Sequence, residues 1–168
     1  ADASYDGTAK ASATVTEGVP ADAEITFSWT DAAGQPQTST TVPSFTEPGT
    51  YEVSYVISKD GYNDVTGSYE FTIEEGTLSG YEVKGNDNAV YDGTAKVSAT
   101  VTVGTPADAV ITFTVGGVES ATVPSFTEAG TYEVTYTISK DGYNDVTGSY
   151  TFEIKKGEVF GLVGESGC

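Results

Sequence analysis

The chain lacks arginine, histidine and methionine altogether, and its single cysteine is the last of its 168 residues, Cys168. Each absence removes a class of chemistry. Without histidine there is no Ser-His-Asp or Cys-His dyad, no imidazole ligand and no proton shuttle poised near neutral pH. Without arginine there is no bidentate fork for a phosphate or carboxylate. One cysteine closes neither an intrachain disulfide nor a thiolate zinc site. Positive charge is scarce as well: seven lysines stand against 25 acidic residues, for a formal net charge of −18. Such a surface repels nucleic-acid backbones and anionic lipid headgroups. No apolar run approaches the ~20 residues of a membrane-spanning helix. No secretory leader opens the sequence, and without an initiator methionine the chain is expected to be a processed product or an excised piece.

What the sequence does contain is a repeat. Tyr5-Asp6-Gly7-Thr8-Ala9-Lys10 recurs as Tyr91-Asp92-Gly93-Thr94-Ala95-Lys96, and the stretch 42–73 recurs as 123–154 with 27 of 32 positions identical. The offset falls from 86 to 81 through a five-residue deletion between Phe27/Phe113 and Phe45/Phe126, where residues 31–36 shrink to Gly116-Gly117. Turns absorb such deletions and strands do not. The chain therefore reads as two copies of one module, residues 1–76 and 77–157, with a tail at 158–168. Near-identity of neighbours argues against a dedicated active site and for an array whose product is length or avidity.

Within each copy the apolar pattern has period two. It predicts Ala11, Ala13 and Val15 inward, with Lys10, Ser12, Thr14 and Thr16 outward. In the second copy Val97, Ala99, Val101 and Val103 are expected inward. Ile25, Phe27 and Trp29 match Ile111, Phe113 and Val115. Tyr51, Val53, Tyr55 and Ile57 form a third inward row, and Tyr69, Phe71 and Ile73 a fourth. Threonine, valine and tyrosine dominate, as strands favour, and no helical stripe is present. Turn residues separate the runs at Gly18-Val19-Pro20, Glu47-Pro48-Gly49 and 60–64. This predicts an all-β protein of two tandem sandwiches without disulfides. Leu78, Tyr81 and Val83 are expected in the first strand of the second copy. The first copy has only residues 1–4 before Tyr5, so its first strand is expected to be truncated, leaving an open sheet edge.

Glu47-Pro48-Gly49-Thr50-Tyr51-Glu52-Val53 and Glu128-Ala129-Gly130-Thr131-Tyr132-Glu133-Val134 resemble the tyrosine corner of immunoglobulin-like sandwiches, with valine where antibody domains have cysteine. The order YDGTAK, VPSFTExGTYEV, ISKDGYNDVTGSY resembles the bacterial Ig-like repeats (Big and MBG-type modules) of cell-surface proteins, over about residues 1–157. The resemblance implies two immunoglobulin-like antiparallel sandwiches. It also implies an extracellular location on a bacterial surface and a stalk or adhesion role, with no catalytic residues. Residues 152–168 additionally resemble the start of the phosphate loop of ABC transporter ATPases, truncated before its lysine. Without that lysine or a following helix no nucleotide binding is expected. Two origins of 157–168 stay open, a fused tail or the first strand of a further repeat. Either could pair with a sheet edge and mediate self-association.

Several constellations could bind something. Asp60, Asn63 and Asp64, with Asp141, Asn144 and Asp145, offer oxygens to Ca²⁺, but without EF-hand spacing; a tight turn explains them as well. Asn86, Asp87 and Asn88 form a second such cluster at the junction. Tyr62 and Tyr143 sit at loop tips where an aromatic ring could stack on a sugar. Lys10 and Lys96 invite comparison with isopeptide-forming lysines, but lie on the outward phase of their strands. No carboxylate pair suggests a glycosidase. No enzyme activity and no cofactor are expected. The expected role is a non-catalytic spacer of a surface or secreted adhesin-like protein, whose partners are neighbouring repeats. The alternative is a module that binds a glycan or host protein through its Asp-Gly-Tyr-Asn-Asp loops.

Overall fold

The computed structural model describes residues 2–159 and divides the chain between residues 77 and 78 into two compact units. All regular structure in the described residues is β.

The first unit contains β1 (Ala3–Ser4), β2 (Lys10–Ala11), β3 (Glu24–Thr30), β4 (Pro36–Ser39), β5 (Ser44–Phe45), β6 (Gly49–Ser58) and β7 (Val65–Glu74). Five of them form a sheet in the order β1-β7-β6-β3-β4, while β2 pairs with β5 in the opposing layer. β6 and β7 make a ten-residue hairpin, in register from Gly49↔Ile73 to Ile57↔Val65. β1 adds to β7 in parallel, and β3 and β4 extend the other side antiparallel. The expected alternation holds along these long strands. Val53, Phe71 and Ile73 are buried, and Glu52, Ser54, Glu70 and Glu74 are exposed. Phe27, Val53, Phe71 and Ile73 from the large sheet meet Phe45 from the small layer to make the core. Phe45 lies flat on Tyr51, with ring centroids 3.9 Å apart, and Trp29 meets it edge-on at 6.1 Å. A dense aromatic contact joins the layers where antibody domains use a disulfide.

The second unit contains β8 (Glu82–Gly85), β9 (Ala89–Val90), β10 (Lys96–Val97), β11 (Ala99–Thr102), β12 (Val110–Val115), β13 (Val118–Ser120), β14 (Ser125–Phe126), β15 (Gly130–Ser139) and β16 (Val146–Lys155). The large sheet has the corresponding order β13-β12-β15-β16-β9, with β9 parallel to β16. The opposing layer pairs β10 with β14 and β11 with β8. Phe113, Val134, Ile138, Phe152 and Ile154 are each at most 2% exposed. Phe126 stacks on Tyr132 at 3.9 Å, as Phe45 does on Tyr51. The five-residue deletion falls where a turn absorbs it. The loop 31–35 between β3 and β4 becomes the two-residue turn Gly116-Gly117, with φ of 56° and 84°. These left-handed values suit glycine and match the twist of a tight hairpin.

The strict alternation expected over 10–17 and 96–103 fails. Val97 is 54% exposed and Val103 59%, and Val15 is 41% exposed. Ser12 and Ser98, expected outward, are 4% and 0% exposed. The cause is a change of partner in mid-run. β10 faces β14, β11 faces β8, and Ser98 falls in the step between them. There its hydroxyl donates to the Pro124 carbonyl at 2.7 Å and sits 2.8 Å from the Tyr150 hydroxyl, so its burial costs little. Ser12 repeats this with Pro43 and Tyr69. The strand expected around Leu78, Tyr81 and Val83 begins only at Glu82. Leu78 is nonetheless buried and Ser79 forms an isolated bridge to Thr105.

Candidate functional site

The loops joining β6 to β7 and β15 to β16 carry the residues singled out for binding. Each opens with a tight turn, in which the Tyr62 amide donates to the Lys59 carbonyl at 3.0 Å and the Tyr143 amide to the Lys140 carbonyl at 3.0 Å. Lys59 reaches Asp22 at 2.8 Å and Lys140 reaches Asp108 at 2.9 Å, fastening each loop to the one that precedes β3 or β12. Hydrogen bonding by the Lys140 ammonium holds the Asp108 carboxyl below its ordinary value. Tyr62 is 61% exposed, and Tyr143 is half-buried. Asp60, Asn63, Asp64, Asp141, Asn144 and Asp145 are all exposed. Among the described residues no three His, Cys, Asp or Glu side chains gather where they would hold a metal ion. A shallow hollow near the second loop is lined by Asp108, Lys140, Asp141 and Asp145, so one ammonium already serves its acidic wall.

The junction cluster has other work. Asn86 donates through its side-chain amide to the Val97 carbonyl at 2.9 Å and accepts from the Thr100 hydroxyl at 2.9 Å. Asn88 donates to Glu153 at 3.2 Å. These clips hold the corner between β8 and β9 onto β10, β11 and β16, a role the sequence reading missed. The alternation of charge and turn residues gave no sign of it.

The repeated motifs resolve into structure-forming contacts. In the Tyr-Asp-Gly-Thr-Ala-Lys hexapeptide, Asp6 accepts from the Thr8 amide at 2.9 Å and the Thr8 hydroxyl at 2.6 Å, and Lys10 closes the turn at 2.7 Å. Asp92, Thr94 and Lys96 do the same. The lysine hydrogen bond, then those from threonine, hold Asp6 and Asp92 well below the ordinary carboxylate range. The tyrosine corner is present twice. Tyr51 donates to the Glu47 carbonyl at 2.6 Å, and Tyr132 to that of Glu128 at 2.7 Å. Burial, with the Glu47 charge second, pushes the Tyr51 hydroxyl pKa up. The phosphate-loop resemblance and Cys168 fall largely at 160–168, outside the described residues.

A five-stranded sheet with a parallel first strand, a smaller opposing layer and a tyrosine corner defines each unit as an immunoglobulin-like β-sandwich. Residues 85–158 match the family model described as MBG domain. No curated protein matches the chain. Among solved structures it is similar to Sidekick-1 immunoglobulin domains 1–5, at 13% identity and a TM-score of 0.34, covering 92% of this chain and 38% of that one. It is also similar to zebrafish RET cadherin-like domains 1 to 4, at 12% identity and a TM-score of 0.22, covering 80% of this chain and 41% of that one. The chain thus spans under half the length of each.

Proposed function

We propose that the chain is a non-catalytic spacer module of an extracellular, adhesin-like bacterial surface protein. The observation that carries this reading is that the motifs repeated between the units are consumed internally. The hexapeptides close turns, the corner tyrosines bond their own strands, and the loop lysines pair with Asp22 and Asp108. What recurs is what folds the module. Among the described residues the recurring acids at 60–64 and 141–145 gather in no group of three that could hold a metal ion, and the hollow beside the second loop is already served by the Lys140–Asp108 pair. The acidic skin supports solubility and keeps like chains apart.

The test is a reporter domain displayed on a bacterial surface through one, two or four copies of this chain, behind a polymer layer of fixed thickness. Capture of the reporter's ligand should rise with copy number. Capture independent of copy number would refute the spacer role.

A second reading rests on Tyr62, a 61% exposed ring beside a groove that Lys59 and Asn63 also line. In this reading the loops bind a glycan or host protein. A glycan array probed with the wild type and with the Tyr62→Ala/Tyr143→Ala double variant decides it. Binding lost in the variant supports it, and an array silent for both removes the glycan arm.

A further inference from the structure

The second unit has two paired strands, β8 and β11, with no counterpart among the described residues of the first. β8 lies antiparallel to β11, pairing Val83 with Val101 and Gly85 with Ala99. Just before it, Ser79 and Thr105 exchange two backbone hydrogen bonds of 3.1 and 2.8 Å. Leu78 is 6% exposed, and the Tyr81 hydroxyl donates to the Pro106 carbonyl. In the first unit the equivalent residues 13–16 pair with no strand among the described residues.

The positions this strand covers in one unit lie open in the other. Ala99 is 4% exposed and Ala13 only half-buried; Val101 is half-buried and Val15 41% exposed. Ile138 is 1% exposed and Ile57 half-buried. Along this edge runs a groove of about 380 Å³ walled by Val15, Pro20, Ile25, Ile57 and Val65. A further hollow of about 210 Å³ opens between the layers onto Phe27, Tyr55 and Tyr69. The groove has apolar walls and runs beside residues 13–16, which pair with no strand among the described residues, the combination that binds an added strand.

One glycine links the two states. At Gly104 a Cβ would stand 2.0 Å from the Ser79 carbonyl oxygen and 2.5 Å from the Tyr81 nitrogen, so residues 79–81 approach only because no side chain is there. Its counterpart Gly18 has nothing within 4 Å of the same point, and its φ lies outside the left-handed region. Among the described residues nothing stands close enough to require glycine at 18. A strand arriving as 79–81 does would require it.

We infer that this edge of the first unit is a strand-acceptor site for an extended polypeptide segment of the Leu-x-x-Tyr-x-Val class that residues 78–83 represent. The segment runs antiparallel to residues 13–16. Its leucine enters the apolar groove, its tyrosine hydroxyl reaches the Pro20 carbonyl, and its valine lies beside Val15. The occupant is fixed by the second unit, which shows what covers the same groove on a nearly identical scaffold.

The experiment adds a synthetic peptide spanning 77–86 to the full chain and follows amide hydrogen exchange. Protection should appear at 13–19. The Gly18→Ala variant should keep the chain's thermal midpoint and lose peptide protection. Replacing the peptide's leucine by aspartate should weaken binding about tenfold or more, because one buried leucine is forfeited and a charge gained. That arm does not depend on any variant of the chain folding. No protection of 13–19 at millimolar peptide, or binding by Gly18→Ala equal to wild type, would overturn the inference. So would protection of 13–19 that rises with chain concentration alone and that the peptide does not displace, since the occupant would then be a second copy pairing edge to edge.

Discussion

Tyr51 and Tyr132 each tie the start of a long strand to a carbonyl four residues upstream, and each ring carries a stacked phenylalanine. Tyr51→Phe or Tyr132→Phe keeps the stack and removes the hydrogen bond, and should cost about 1 kcal/mol of unfolding free energy in urea titrations. Ser98 is the harsher case. Its side chain is fully buried between Pro124 and Tyr150, and burial pushes the Tyr150 hydroxyl pKa up. Ser98→Ala leaves two polar groups short of a partner and should cost about 1–3 kcal/mol by the same measurement. The corner was legible in the sequence because its acid-x-Gly-x-Tyr spacing is local. The serine was not, because what satisfies it comes from 26 and 52 residues away.

Among the elements, the hexapeptide turns decide how β2 and β10 begin. Their aspartates have folded-state pKa values below the unfolded one. The stability they confer is therefore complete above the ordinary aspartate range, near pH ~4, and is lost as pH falls through the lowered value. Acid titration followed by circular dichroism should show stability falling below that range. Asp6→Asn/Asp92→Asn should flatten part of the fall while leaving neutral-pH spectra unchanged. Phe45 is the element-scale contact between layers, 9% exposed and touching Trp29, Tyr51 and Phe71. Phe45→Ala should cost about 3–5 kcal/mol, read as a collapse of the first unit's unfolding midpoint. The long strands were readable because each keeps one face inward for its whole length. The run 96–102 was not, because it changes partner from β14 to β8 at Ser98.

For the whole molecule, the two units share a scaffold, and among the described residues the second adds a pair of strands, β8 and β11, that the first lacks. Burial of Leu78 alone is worth about 1.5–3 kcal/mol, and β8 adds its backbone ladder. The second unit should outlast the first. Trp29, the chain's one tryptophan, sits in the first unit and reports it selectively. Its fluorescence transition should fall at lower urea than the circular-dichroism transition of the whole chain. Coincident transitions would show that the β8–β11 pair carries no such weight. The charge is shared as well. Residues 1–80 hold 13 acids and two lysines, and 81–157 hold ten and five, so both modules carry a net negative charge.

The single cysteine, the repeat and the period-two rows were enough to determine two disulfide-free sandwiches. Composition and local periodicity fix which faces must be buried, whatever the partner. Tertiary structure alone decided that Ser12 and Ser98 go inside, that Val97 and Val103 stay out, and that Gly104 is pressed by a strand while Gly18 waits in open space. Those outcomes depend on which segment lies against which, and pairing across 20 to 60 residues leaves no mark in the alternation of one strand.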